Sequence, residues 1–123
     1  MGLFSAVLGN ASDVDTSEVQ EEYSPILAEG ETVEAAFKMV RDLYVFTSKR
    51  LILVDKQGMT GRKVEYRSIP YRAVTQFSVE NAGTFDSDSE MRIWISGQSE
   101  PLTRTLKRGA NVEAIQKALA SIL

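Results

Sequence analysis

LYVFTSKRLILVDKQGMTGRKVEYRSIPY, residues 43–71, reads as three strands in a row joined by two tight connections. Leu43 to Phe46 and Leu51 to Val54 flank the connection Thr47-Ser48-Lys49-Arg50. Gln57-Gly58 and Gly61 supply turn residues before Val64 to Ile69, and Pro70 ends that third strand. Leu51 to Val54 is apolar on both faces, so a further element has to cover its second side. The stretch is also basic. Lys49, Arg50, Lys56, Arg62, Lys63 and Arg67 are opposed only by Asp55 and Glu65.

Working outward, the alternation of Val33, Ala35, Phe37 and Met39 with Glu34, Ala36, Lys38 and Val40 predicts a half-buried strand on the N-terminal side. On the C-terminal side, Val74 to Glu80 is a strand with Phe77 and Val79 on one face. In the next, Met91, Ile93 and Ile95 alternate with Arg92, Trp94 and Ser96, and Leu102 to Lys107 has Leu102 and Leu106 inward. A helix is expected from about Asn111, its cap, with Val112, Ile115, Leu119 and Ile122 in one stripe. Before the strands, residues 1–12 carry one narrow apolar stripe. Thr16 to about Tyr23 reads as a second helix capped at Asp15, with Val19 and Tyr23 on one face and Pro25 fixing its end.

The expected fold is therefore mainly β (α+β). It is a curled antiparallel sheet or partly open barrel of about seven strands, capped by the C-terminal helix, with short N-terminal helices. This is the pleckstrin-homology type of architecture. Residues 1–30 are expected to form a helical segment packed on a domain of residues 31–123.

Composition narrows the function. The chain has 123 residues, no Cys and no His, and a net charge of −3. Without Cys there is no disulfide, thiolate nucleophile or Cys-ligated zinc. Without His the usual general base and transition-metal ligand are missing. The lack of Cys fits a reducing compartment, and a cytoplasmic location is expected. The acidic balance argues against nucleic acid as a partner, although Tyr66, Arg67, Tyr71 and Arg72 interleave aromatics with bases. The longest aliphatic run, Leu51 to Val54, is far short of the ~20 residues of a membrane span, so no stable membrane anchoring is expected. Ala6 stands where a myristoylation motif wants Ser or Thr. Charge is segregated. Residues 1–34 hold eight acids and no base, whereas residues 49–72 hold seven bases against two acids. The acidic front is suited to dock on the basic hairpin, in the same chain or a neighbour.

No reaction is written in the chain. Asp86, Asp88 and Glu90 open like a calcium loop, but Met91 and Gly97 occupy the positions that need Gly and Glu. Ser48-Lys49, and Glu80 with Asp86, lie in no catalytic motif. No cofactor or metal is expected, and no enzyme activity.

Several strings nevertheless look familiar. Arg41-Asp42, Phe46-Thr47-Ser48-Lys49-Arg50-Leu51, Asp55-Lys56-Gln57-Gly58, Gly61-Arg62-Lys63, Ser68-Ile69-Pro70-Tyr71 and the segment from Glu80 to Asp86 resemble the bacterial pleckstrin-homology-like domain family. The resemblance runs from about Asp13 to Leu123. It implies self-assembly into a cyclic homo-oligomer, a pentamer among its sizes, with a polar surface for an unknown protein partner. Residues expected at that surface are Arg41, Asp42, Thr47, Lys49, Arg50, Lys63, Glu80, Asp86 and Asp88. Ile52, Val54, Arg92 and Trp94 are the candidates for contact between copies, because the first two sit on a doubly apolar strand and Trp94 projects opposite its Ile neighbours. The alternative is an anionic lipid or phosphoinositide headgroup. Against it, eukaryotic domains of this superfold carry Lys/Arg-x-Arg after a Lys in the first strand pair, and this chain has Lys38 and Arg41 there with no Lys/Arg-x-Arg anywhere.

Overall fold

The computed structural model describes residues 14–39, 42–57, 62–80, 89–106 and 111–123. Seven strands form two antiparallel sheets. The first contains β1 (Val33–Lys38), β2 (Asp42–Thr47), β3 (Arg50–Gln57) and β4 (Lys63–Pro70), side by side in that order. The second contains β5 (Val74–Glu80), β6 (Ser89–Ile95) and β7 (Leu102–Leu106), again in chain order. A 3-10 turn, Tyr71–Ala73, carries the chain from one sheet to the other. Helix α1 (Thr16–Tyr23) runs into a 3-10 turn at Ser24–Ile26, and helix α2 (Val112–Ile122) closes the chain. The sheets do not close into a barrel.

The sheets enclose the main core, made of Phe37, Tyr44, Phe46, Leu51, Leu53 and Ile69 from the first sheet and Val74, Met91, Ile93 and Leu106 from the second. Phe37 and Phe46 meet edge to face with centroids 5.9 Å apart. Helix α2 seals this core with Ile115, Leu119 and Ile122, and the Asn111 side chain caps it by accepting a hydrogen bond from the Ala114 N–H at 3.1 Å. The expected stripe and cap are both present.

A second, smaller core lies on the opposite face of the first sheet. There α1 places Val19 and Tyr23 over Val33, Ala36, Val45, Ile52 and Val54. Asp15 caps α1 by accepting from the Ser17 N–H at 2.9 Å. Tyr23 also stands edge-on to Tyr66, with centroids 6.2 Å apart. This is the cover that the doubly apolar β3 demands, and it comes from the chain itself. Ile52 and Val54, expected at a contact between copies, lie instead beneath α1. Each is 1% exposed beneath α1 and presents no surface in this arrangement.

β1 also differs from its expected half-buried state, since both of its faces are covered. Its register with β2 shifts between Val33 and Ala35. Such a bulge turns over the side-chain alternation. Val33 thereby joins the core under α1, while Ala35 and Phe37 enter the main core.

Candidate functional site

The connection between β2 and β3 is held from within. The Thr47 hydroxyl accepts from the N–H groups of Lys49 (3.1 Å) and Arg50 (3.0 Å) and donates to Glu31 Oε2 at 2.5 Å. Ser48 pairs with Thr32 twice, its N–H donating to the Thr32 carbonyl and its hydroxyl accepting from the Thr32 N–H. The Tyr71 hydroxyl donates to the Thr47 carbonyl at 2.5 Å.

Arg50 then ties three segments together. Its Nε and Nη2 donate to the two carboxylate oxygens of Glu31 at 2.9 and 3.0 Å, Nη2 also reaches the Ile26 carbonyl at 2.8 Å, and Nη1 reaches Ser68 Oγ at 2.7 Å. The Glu31 side chain is 0% exposed. Burial pushes its carboxyl up, but hydrogen bonds from Arg50, Thr47 and the Ala28 N–H outweigh that and hold it down at about 2. Among the described residues the acidic front thus meets the basic hairpin through one ion pair, within one chain.

Beside this clasp lies an open cleft of about 440 Å³. Pro25, Ile26, Leu27 and Pro70 line it, Arg50 and Ser68 contribute polar atoms, and Lys49 is exposed at its edge. The guanidinium of Arg50 is engaged by its own chain, so Lys49 is the cation here without a side-chain partner among the described residues.

The other residues expected at the surface are dispersed. Thr47 is 1% exposed and works inside the clasp, as does Arg50. Asp42 begins β2, five residues and roughly 17 Å from Thr47 at extended-strand rise. It is ion-paired with Arg104 of β7. Lys63 is exposed at the start of β4, and Glu80 is exposed at the end of β5, opposite Glu90. Arg41, Asp86 and Asp88 lie outside the described residues. Trp94 and Arg92 sit on the outer face of β6, half-buried, with Arg92 ion-paired to Glu90. Nothing in the sequence marks Glu31, Ser68, Asp55 and Arg104 as site residues, because charge alone does not reveal which carboxylate is buried. Among the described residues no three His, Cys, Asp or Glu side chains are grouped to hold a metal ion, and no helix is long and apolar enough to cross a membrane.

Comparison with known proteins places this geometry. The family described as "Bacterial PH domain" matches residues 2–123. The Bacillus subtilis (strain 168) protein named "Uncharacterized protein YjqA" is 58% identical over 123 residues, 99% of this chain and 98% of its own. A solved pleckstrin homology domain from Shewanella amazonensis SB2B superposes with a TM-score of 0.79 at 59% identity, covering 88% of this chain and 97% of that one. A DUF1696 family protein with a pleckstrin-homology domain, from Shewanella loihica PV-4, superposes with a TM-score of 0.77 at 50% identity, covering 90% and 95%. The two sheets, the sealing helix and the match over nearly the whole length agree: the chain belongs to the bacterial PH domain family.

Proposed function

We propose that this domain is a non-enzymatic module for assembly and protein interaction. Copies of it associate in a cyclic homo-oligomer larger than a dimer, with a pentamer as one candidate size, and the assembly presents a polar surface to another protein. The observation that carries this reading is the unequal cover of the two sheets. The outer face of the first sheet is roofed by α1, and α2 packs into the main core. The outer face of the second sheet carries Gln76, Arg92, Trp94 and Thr103, and neither described helix contributes to it. A half-buried Trp in a polar sheet face is the kind of anchor that protein contacts use. The cleft beside Lys49 suits the second partner, a protein segment with an apolar residue next to a carboxylate. Light scattering on a sizing column at micromolar concentration tests assembly. A single 13.6 kDa species overturns it.

A second reading is binding to anionic lipid. It is favoured by Lys56, Arg62 and Lys63, all exposed around the β3–β4 connection. Liposome sedimentation at near-physiological salt separates the two readings. Saturable binding to one phosphoinositide, but not to phosphatidylserine at equal charge, promotes the lipid reading. Binding that vanishes with modest salt is only screened attraction.

A further inference from the structure

At the opposite end of β2 from the clasp, two carboxylates face each other. Asp42 opens β2, and Asp55 is its direct cross-strand partner on β3. Asp42 shares a face with Tyr44 and Phe46, and Asp55 shares it with Leu51 and Leu53, so both belong to the side of the sheet that encloses the main core. The Asp42 side chain is 9% exposed, and its carboxylate takes the Nε–H of Arg104 from β7 of the second sheet. As direct cross-strand partners on one face the two side chains are immediate neighbours, and Gln57 Nε2 donates to Asp55 Oδ2 at 3.2 Å. Two groups that only accept when ionised cannot hydrogen-bond to each other unless one carries a proton.

The surroundings do not remove the conflict. On β4, Glu65 lies across from Asp55 and Lys63 across from Gln57, both exposed, and Arg67 lies one step further in. On β2, the Tyr44 hydroxyl is buried without a hydrogen-bond partner among the described residues, in the combined field of Arg104, Asp42, Arg67 and Asp55. Arg104 contacts Asp42 and spends Nη1 on its neighbouring Thr103 carbonyl. Among the described residues Arg104 is the cation ion-paired with this couple, with Arg67 further off, and the repulsion between the two carboxylates favours keeping a proton.

We propose that Asp42 and Asp55 hold one proton between them, and that this shared proton is a pH-sensitive part of the Asp42–Arg104 clasp joining the two sheets. Burial of Asp42 and the nearness of Asp55 both raise its titration above the ordinary carboxylate range, against the pull of Arg104. The sign follows. A group whose affinity for a proton is raised by folding stabilises the fold fully below its unfolded value, and that stabilisation is lost as pH rises through the folded value. This end of the sandwich is tightest in mild acid and loosens toward neutrality and above.

The test is Asp55→Asn, which keeps the shape and permanently supplies the donor that the shared proton provides. The melting temperature of Asp55→Asn is expected to exceed that of the parent by roughly 3–6 °C at pH 8, with the gap closing by about pH 4. A gap that is constant with pH overturns the proposal. Carbon-detected NMR titration of the aspartate carboxyls in the unmodified protein gives an independent reading. One of the pair should titrate above the usual Asp value and return to it in Asp55→Asn. Two aspartates titrating normally would also overturn the proposal.

Discussion

The guanidinium of Arg50 grips both carboxylate oxygens of Glu31, nineteen positions earlier in the chain, while the same group holds the Ile26 carbonyl. One side chain thereby fixes the turn after α1, the entry to β1 and the start of β3. Replacing Arg50 with Met should leave Glu31 buried without its opposite charge, held only by the Thr47 hydroxyl and the Ala28 N–H. A loss of about 2–4 kcal/mol is expected, somewhat below the usual cost of breaking a fully buried pair because Arg50 is 25% exposed. Adding Glu31→Gln to Arg50→Met should recover part of that loss, and urea denaturation of the parent, the two single variants and the double variant measures both effects.

Acid should act on the same pair. Glu31 is held down at about 2 against an ordinary value of 4.5. A depressed carboxyl contributes stability that is present above the ordinary value and lost as pH falls through the folded one. The window is therefore about pH 4.5 down to about pH 2, and the contribution is on the order of 3 kcal/mol. Thermal melts across that range should show the parent losing stability more steeply than Glu31→Gln. Parallel curves would remove Glu31 from the acid response.

Leu119 is fully buried where α2 seals the main core. Leu119→Ala should cost roughly 2–5 kcal/mol. A loss below about 0.5 kcal/mol in denaturant melts would mean that α2 does not rest on the sheets.

Lys49 gives the opposite expectation. It is exposed at the cleft and has no role in the clasp beyond its backbone N–H, so Lys49→Glu should change stability by less than about 0.5 kcal/mol. If the cleft takes a partner's acidic segment, the same substitution should abolish co-purification of partners that the parent captures from its host. Retention of those partners would move the interaction elsewhere on the surface.

Assembly gives a further test on the other sheet. Trp94→Glu alters an outward position of β6 and leaves Ile93 and Ile95 untouched. If copies assemble through this face, the expected outcome is a shift from oligomer to monomer by native mass spectrometry, with the fold retained by circular dichroism.

The strands and both described helices were legible because their apolar spacings are local properties. Ile93 and Ile95 alternate with Trp94 whatever else the chain does. The need to cover Ile52 and Val54 was legible too, but not the identity of the cover, because a doubly apolar strand is satisfied equally by its own α1 or by another chain. The bulge at Val33 and Ala35 left no mark beyond ordinary alternation. Thr47 and Arg50 stood out as polar groups in a connection, which describes a surface loop and an internal clasp equally well. What decides between them is Glu31, distant in sequence and indistinguishable there from the seven other acids of the front.

The clasp at Glu31 has a consequence for how the chain tolerates its surroundings. It joins residues 26–31, 47–50 and Ser68 across long sequence gaps, the work that a covalent crosslink does in many small domains. This crosslink contains no sulfur, so thiols and oxidants have no purchase on it. Its vulnerability is to protons, and unlike a reduced disulfide it re-forms as soon as the acid is withdrawn.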